Sequence, residues 1–345
     1  MAFSKENIRY TLNGILFVAL FSVAAIQISQ ISFIKNLAIS PLIIGIVIGM
    51  IYANTLRNHL PKEWVPGIVF SAKQLLRLAI VFYGFRITFQ QIMDVGTAGF
   101  AVSVIMLTTT ILLGSWAGMK LFKLDRDTSI LTASGSSICG AAAVLATEPV
   151  LKAEPHKSAI AVGTVVLFGT ISMFLYPFMY KAGILDMDPA TYGIYVGGSV
   201  HEVAQVVAAG GAIGGAAADN AVIVKMTRVM MIAPMLIILG LLISNMAKKS
   251  GEDAGGVKLV IPWFAVWFVV MSGINSLEVI PTTIVSGINQ IDTFMLTMAM
   301  TALGMETNAE KFKQAGIKPI LLALLMFVWL VVAGYFVTKW TVTIF

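Results

Sequence analysis

The sequence predicts an all-α, multi-pass integral membrane protein, and three observations support that prediction. Of the 345 residues, 58% are hydrophobic and 12% are charged, and the mean hydropathy is +0.90. Soluble domains have about 45–50% apolar and about 25% charged residues, so much of this chain must face lipid. The apolar residues also form runs close to the roughly 20 residues that a helix needs to cross a bilayer. Finally, the Lys and Arg residues collect on one side of those runs.

The apolar runs predict about eleven transmembrane helices. Two of these runs are unusual, because 127–150 and 190–210 are rich in Gly, Ser and Ala, and the second also carries charge. The predicted spans are 11–29, 36–54, 66–90, 98–121, 127–150, 157–181, 190–210, 217–246, 259–277, 282–305 and 317–341. The links between them are too short to form a separate soluble domain.

The orientation follows from the first span and from the basic residues. We expect the first span to be a retained helix, since its apolar run is long and lacks a clear small-x-small cleavage site. With the N-terminus in the cytoplasm, most Lys and Arg residues fall in or beside cytoplasmic links. The C-terminus is then predicted on the outer side. The formal net charge of +6 is therefore an orientation signal, and we find no nucleic-acid-binding motif.

Two short segments suggest an inverted repeat. Both Gly84–Gly96 (GFRITFQQIMDVG) and Gly304–Gly316 (GMETNAEKFKQAG) begin and end with Gly, follow an apolar run and precede another. The predicted topology places them on opposite sides of the membrane, as inverted repeats require. A chance match is the alternative, since the segments are short.

A serine- and glycine-rich segment lies within the fifth predicted span. These residues are poor helix formers, and a loosened backbone inside a membrane must be satisfied by protein or line a wet cavity. The free N–H groups at the start of a half-helix attract anions. We therefore predict a substrate-binding helix break here; close helix packing through small residues is the alternative. The predicted binding residues are Ser134, Gly135, Ser136, Ser137, Cys139 and Gly140. Cys139 is the single cysteine, which excludes an internal disulfide.

A His–Glu pair lies inside the seventh predicted span. Ionisable residues at membrane depth are costly and indicate function. Glu202 is predicted to carry a proton, with His201 tuning it, while Ser199 and Gln205 join the substrate site. A polar pair that staples two helices is the alternative.

The segment His201 to Gln205 also resembles the zinc-protease pattern H-E-x-x-H, with Gln in place of the second His. A catalytic zinc needs about three protein ligands. The other two histidines, His59 and His156, fall in predicted loops. An intramembrane protease is therefore disfavoured, and no metal site is predicted.

Two pairs of basic residues lie within predicted spans. Lys225 and Arg228 are three residues apart and share a helix face. We predict that they bind an anion; pairing with Glu202 or Asp219, or snorkelling to headgroups, are the alternatives. Lys73 and Arg77 are predicted to snorkel near the inner end of the third span.

The end of the tenth span has polar residues that predict either a second helix break or a helix end. We include them among the candidate site residues as a second break. They are Gly304, Glu306, Thr307 and Asn308.

Three segments together resemble a known family. They are SGSSICGAAAV, GGSVHEVAQVVAAG with the KMTR that follows it, and ALGMETNAEKFKQAGIKP. The chain resembles the YeiH-type sulfate exporter family of bacterial inner-membrane proteins over nearly its whole length, from about residue 12 onward. The His-Glu-x-Ala-Gln segment followed by Lys-x-x-Arg is the most specific part.

The resemblance implies a bacterial plasma-membrane protein of ten or eleven helices, related to the bile-acid-symporter and sodium–proton-antiporter folds. In those folds two discontinuous helices cross near the bilayer midplane, and a core domain faces a panel domain. We therefore expect one transporter domain over residues 1–345. Its core is predicted around 98–246 and 282–341, and its scaffold at about 11–90 and 259–277.

The favoured function is a secondary transporter that exports a small oxyanion, such as sulfate, sulfite or an organosulfonate, by alternating access. A proton or sodium is the expected coupling ion, and a homodimer is the expected assembly. The alternative is a cation/proton antiporter that uses Glu202 and Glu306. An intramembrane enzyme or a receptor is a third, less favoured class. No nucleotide-binding G-x-x-x-x-G-K-[ST] occurs, and we predict no enzymatic activity and no cofactor.

Overall fold

The computed structural model describes residues 7–32, 34, 40–56, 60–250, 263–307 and 316–345. Every regular element in these residues is helical, which confirms the predicted all-α class. Six helices in this part of the chain are long and apolar enough to cross a membrane, and shorter apolar helices accompany them. The six are Ile8–Ser29, Lys62–Arg86, Phe89–Lys120, His156–Lys181, Gly215–Leu242 and Ile317–Ile344.

The described helices follow the predicted order, but the two unusual spans each contain two helices instead of one. The third span is also composite, because α3 passes into α4 through a π-helical turn, Ser71–Leu75. The helices are α1 (Ile8–Ser29), α2 (Pro41–Thr55), α3 (Val65–Phe70), α4 (Leu76–Tyr83), α5 (Phe89–Lys120), α6 (Arg126–Ser137), α7 (Ala141–Leu151), α8 (Pro155–Lys181), α9 (Pro189–Ser199), α10 (Val203–Ile213), α11 (Gly215–Met230), α12 (Ile232–Ser250), α13 (Trp263–Ser276), α14 (Thr282–Glu306) and α15 (Ile317–Ile344).

The chain forms two compact units. The first unit comprises the described residues of Met1–Gln91 and Phe264–Lys311, and the second comprises those of Ile92–Trp263 and Phe312–Phe345. Helix α14 thus belongs to the first unit, whereas the predicted core included 282–305. Helices α5, from Ile92 onward, to α12 and α15 belong to the second unit. The predicted division into core and scaffold stays a prediction. Whether one unit moves against the other stays a prediction.

Close packing of α2 on α14 explains why α14 groups with the first unit. Gly45 and Gly49 form a Gly-x-x-x-Gly pattern on α2, and a side chain at either position would overlap Thr301 of α14. A side chain at Gly304 would likewise overlap the carbonyl oxygen of Ile46. Small residues at these positions let two membrane helices approach closely.

The predicted second break at the end of α14 is instead a helix end. Helix α14 continues without interruption to Glu306, and the Thr307 N–H donates to the Gly304 carbonyl as the helix finishes. Gly304 is present because α2 packs against it, and not because the helix is interrupted there. Asn308 lies outside the described residues, as does most of the second segment of the suggested inverted repeat.

In the second unit, Asp125 begins α6 and joins it to α8. Its carboxylate accepts a hydrogen bond from the Thr128 N–H at 3.1 Å, and Lys157 Nζ lies 3.0 Å from Asp125 and 3.3 Å from Asp127. Partial burial alone would raise the pKa of Asp125, but the hydrogen bonds from Thr128 and Lys157 outweigh it and lower the pKa from 3.8 to about 2. The start of α6 is therefore fixed by both a cap and an ion pair.

The charge on Asp125 is expected to add a small, pH-dependent stability. Because the folded pKa is below the unfolded one, this contribution is complete above pH 3.8 and is lost as the pH falls through about 2. Asp125→Asn keeps a capping oxygen but removes the charge. It should therefore lower the melting temperature slightly at neutral pH and hardly at all near pH 2, where the wild-type carboxyl itself becomes protonated. Thermal unfolding in detergent at both pH values checks this, and an equal loss at both would contradict it.

Candidate functional site

The second unit has a kink in α5 at Gly96, with φ 13° and ψ −112°, and two helix breaks that lie beside each other. Helix α6 ends at Ser137 and α7 begins at Ala141, so residues 138–140 form the first break. Gly140 has φ 72° and ψ −132°, a backbone conformation that strongly favours glycine. Helix α9 ends at Ser199 and α10 begins at Val203, so residues 200–202 form the second break. The first break confirms the interruption predicted from the serine- and glycine-rich segment.

One carboxylate joins the two breaks. Glu202 Oε1 accepts a hydrogen bond at 3.1 Å from the N–H of Ala141, which is the first residue of α7. Glu202 also begins α10 through a capping box, in which the Gln205 side chain accepts from the Glu202 N–H at 2.9 Å. The negative charge of Glu202 therefore lies at the N-terminal, partially positive ends of both α7 and α10.

Lys225 of α11 contacts the opposite helix ends. Its Nζ donates to the carbonyl oxygens of Ile138 at 2.6 Å, Val200 at 2.8 Å and His201 at 2.5 Å. These three bonds use all three donors of an ammonium group. The side chain is 0% exposed, so these carbonyls are its environment.

Arg228 has the same kind of partners one turn further along α11. Its guanidinium donates to the carbonyl oxygens of Ser137, at 2.8 Å from Nε, of Ser136, at 3.3 Å, and of Gly198, at 2.5 Å. These carbonyls end α6 and α9, where the helix dipoles are partially negative. We call the two breaks with Glu202, Lys225 and Arg228 the junction; in it, each charge matches the helix ends that it contacts.

Small residues bring α11 close enough to supply both cations. A side chain at Gly193 or Gly197 of α9 would overlap the backbone of α11 at Ala217 or Ala221. Lys225 is four residues beyond Ala221, and Arg228 shares its face, so both reach the end of α9. The glycines that made this span unusual in the sequence thus serve the packing of α9 on α11.

Four buried polar side chains near the breaks have unused hydrogen-bonding atoms. Within the described part of the chain, no partner contacts the hydroxyls of Ser134 and Ser136, either ring nitrogen of His201, or Nε2 of Gln205. All four residues are at most 1% exposed. Buried polar groups almost always have partners, and a bound ligand could supply the partners that these atoms lack.

The other predicted site residues have protein partners or are enclosed by protein. The Ser137 hydroxyl donates to the Ser134 carbonyl at 3.1 Å, and the Ser199 hydroxyl donates to the Tyr195 carbonyl. Cys139 is buried in the first break. Gly135 packs against Val165 and Val144, where an added side chain would not fit.

The structure places most of the predicted site residues at or beside the junction, but some of their contacts differ from the predicted ones. Lys225 and Arg228 donate hydrogen bonds to backbone carbonyl oxygens, and their predicted binding of an anion stays a prediction. Glu306 and Thr307 end α14, which belongs to the first unit. The second break was not assigned from the sequence. Glu202 followed by Gln205 three residues later, a helix-start pattern, was the signal for it.

A second polar feature, in the first unit, was also missed. Arg86 Nε donates to Asp292 Oδ2 at 2.9 Å, and the Asp292 side chain is 0% exposed. A cavity of about 800 Å³ lies beside this ion pair. Its polar lining includes Arg86, Thr88, Asn275, Asn289, Gln290 and Thr293. The two partners are far apart in sequence and lie in different predicted spans, so no local pattern indicates the pair.

Fold and junction together define the class: an all-α polytopic membrane protein with two discontinuous helices whose breaks meet. Comparison with known proteins then identifies the family. The chain matches the family described as Conserved hypothetical protein 698 over residues 13–323, and it belongs to that family.

Relatives of similar length support this assignment. The chain is 51% identical over 330 residues to a UPF0324 membrane protein of Bacteroides thetaiotaomicron, covering 95% of this chain and 98% of that protein. It is 52% identical over 330 residues to a UPF0324 membrane protein of Pseudomonas putida, covering 96% and 93%. It is 47% identical over 322 residues to the UPF0324 inner membrane protein YeiH of Escherichia coli, covering 93% and 91%. The predicted kinship with YeiH-type proteins is thereby confirmed.

Proposed function

We propose that this protein is a secondary transporter of a small anion and that the anion binds at the junction. The observation that carries the proposal is a group of buried polar atoms beside the two breaks that have no hydrogen-bond partner among the described residues: the hydroxyls of Ser134 and Ser136, both ring nitrogens of His201, and Nε2 of Gln205. Hydroxyl, imidazole and amide groups all donate hydrogen bonds, and an oxyanion such as sulfate, sulfite or an organosulfonate supplies the missing acceptors.

The charge of the junction favours an anion over a cation. Lys225 and Arg228 are two cations at 0% exposure, against the single carboxylate of Glu202. Their N–H groups hold carbonyls, so in our proposal they position the breaks and contribute a positive field. The direct ligands are then the hydroxyls, His201 and Gln205. Such a field acts strongly where the dielectric constant is low.

The proposed mechanism is alternating access, in which the junction opens in turn to each side of the membrane. Glu202 is the candidate for proton coupling. When ionised it holds the N-termini of both α7 and α10, and when protonated it loses the charge that favours this arrangement. Protonation is therefore proposed to loosen the contact between the two breaks, with His201 beside it adjusting the balance.

Replacing Glu202 with Gln tests this role. The amide oxygen still accepts a hydrogen bond but cannot titrate, so we expect transport of labelled sulfate into proteoliposomes to lose most of its pH dependence while the protein stays folded. Glu154→Gln, which changes an exposed carboxylate of the same unit, is the matched control and should keep the wild-type pH profile. A pH profile of Glu202→Gln that matches wild type would remove the proton-coupling role.

The carboxylate at the junction also motivates the competing proposal, a cation/proton antiporter. A thermal-shift panel separates the two, because a ligand that binds the folded state raises its melting temperature. Sulfate, sulfite or taurine should raise the melting temperature, and sodium at equal ionic strength should not. Stabilisation by sodium alone would favour the antiporter.

The remaining parts of the proposal concern the setting of the protein. We propose a bacterial plasma-membrane location with a cytoplasmic N-terminus and an outer C-terminus, from the distribution of basic residues. Assembly as a homodimer and export as the direction of transport are likewise proposed. No enzymatic activity, cofactor or nucleic-acid partner forms part of the proposal.

A further inference from the structure

Two cations lie near the middle of a membrane-length helix in the first unit. The helical run Lys62–Arg86 has 25 residues and is apolar enough to cross a bilayer. Lys73 and Arg77 lie near its centre, and both side chains are exposed, as is that of Gln74. We call Lys73, Gln74 and Arg77 the basic stripe.

The π-helical turn Ser71–Leu75 contains two of the three stripe residues. The other side of the same helix is buried in the first unit, with Ile68, Ala79 and Ile80 at 2% exposure or less. Helix packing therefore turns one apolar side inward and leaves Lys73, Gln74 and Arg77 outward, with Leu78 beside them at 47% exposed. That is the reverse of what lipid would select, and π-helical turns are frequent at functional sites.

The position of the stripe argues against snorkelling, which the sequence alone favours. At 1.5 Å per residue, Lys73 is roughly 16 Å and Arg77 roughly 14 Å from the nearer end of the helix, about half the thickness of the hydrocarbon core. A Lys or Arg side chain is much shorter than that. A cation held at the centre of a bilayer costs about 2.5–3.5 kcal/mol even on the most lenient scale.

Protein partners do not offset this cost in the part of the chain that the structure describes. Neither Lys73 nor Arg77 forms a hydrogen bond or an ion pair there. Water tolerates two exposed cations at this depth, whereas hydrocarbon does not.

We propose that the basic stripe lines a water-filled passage that admits anions to the membrane interior. Two cations with an amide between them attract small inorganic or sulfonate anions by charge, and exposed Lys and Arg hold them weakly enough to release. The class of ion rests on the proposed transport function. The contact of the stripe with water does not, so the two can fail separately.

Cysteine accessibility tests the inference, and the chain suits it because its single natural cysteine is buried. Lys73→Cys and Arg77→Cys are made in a Cys139→Ala background and treated in membranes with two methanethiosulfonates, one bearing a sulfonate and one a quaternary ammonium. Leu20→Cys, at the middle of α1 and 69% exposed, is the lipid-facing control. Ala182→Cys, in the exposed link after α8, is the water-facing control.

Both stripe cysteines should react at least about tenfold faster than Leu20→Cys, since only a thiol in contact with water ionises to the reactive thiolate. The ratio of sulfonate to ammonium rates at Arg77→Cys should exceed the ratio at Ala182→Cys, and a further Lys73→Gln change should reduce it. Reaction no faster than Leu20→Cys, or spontaneous disulfide-linked dimers protected from both reagents, would overturn the inference. Fast reaction without preference for the sulfonate would overturn its anionic part.

Discussion

Lys225→Met is expected to lower the free energy of unfolding by about 3 kcal/mol or more. It leaves three buried carbonyls without a donor, and it removes one positive charge from the junction, where that charge faces the partially negative ends of two helices. Those carbonyls belong to Ile138, Val200 and His201, so one substitution removes hydrogen bonds from both breaks. Methionine has nearly the same length as lysine, so the loss reports hydrogen bonds and charge more than volume.

Thermal unfolding of the purified protein in detergent measures this effect, with intrinsic tryptophan fluorescence as the signal. Lys339→Met is the matched control, because Lys339 is exposed on α15 and its Nζ lies 3.5 Å from the Tyr335 hydroxyl. The control should melt within a degree or two of wild type, whereas Lys225→Met should melt many degrees lower. Lys225→Arg, which keeps the charge, should recover part of the loss. Equal melting temperatures for Lys225→Met and the control would show that the carbonyls do not depend on this cation.

Gly140→Ala is expected to disrupt the junction at the contact between the first break and Glu202. Gly140 has φ 72°, which costs about 1–3 kcal/mol for a residue with a side chain. In addition, an added Cβ would overlap Cγ of Glu202 and lie 2.8 Å from its Oε1. The carboxylate must then shift from the N-terminus of α7, so both stability and sulfate transport should fall.

The matched control is Gly211→Ala on α10, a helical glycine where an added Cβ meets no atom within 4 Å. Alanine favours a helix over glycine by about 1 kcal/mol, so this variant should be neutral or slightly more stable. Transport per folded molecule, measured after size-exclusion chromatography, separates loss of function from loss of protein. Wild-type transport by Gly140→Ala would mean that the contact between Gly140 and Glu202 is incidental.

The sequence is sufficient for the membrane class and for the first break. Composition alone requires lipid contact, and three serines with two glycines between positions 134 and 140 are hard to accommodate in one continuous helix. The same physics makes the adjacent His201 and Glu202 stand out, since an ionisable pair in an apolar run is costly to bury and is therefore rare without a function.

The sequence cannot show which backbone groups a side chain will contact, because every residue has a backbone carbonyl. Lys225 and Arg228 bind backbone carbonyls, which have no sequence signature, so only the fold reveals which ones lie within reach. Glycine is ambiguous for a related reason. It marks a backbone break at Gly140 and close packing of two helices at Gly304, and neighbouring residues do not distinguish the two. Depth is ambiguous as well, which is why the sequence predicts Lys73 at a helix end.

Counterflow of labelled sulfate in proteoliposomes tests most directly whether the junction serves an anion. Vesicles loaded with unlabelled sulfate and containing the wild-type protein should transiently accumulate labelled sulfate from outside. Vesicles loaded with sodium gluconate should not accumulate labelled sodium, and protein-free vesicles should accumulate neither ion. Sodium counterflow without sulfate, sulfite or taurine counterflow would contradict an anion site at the junction.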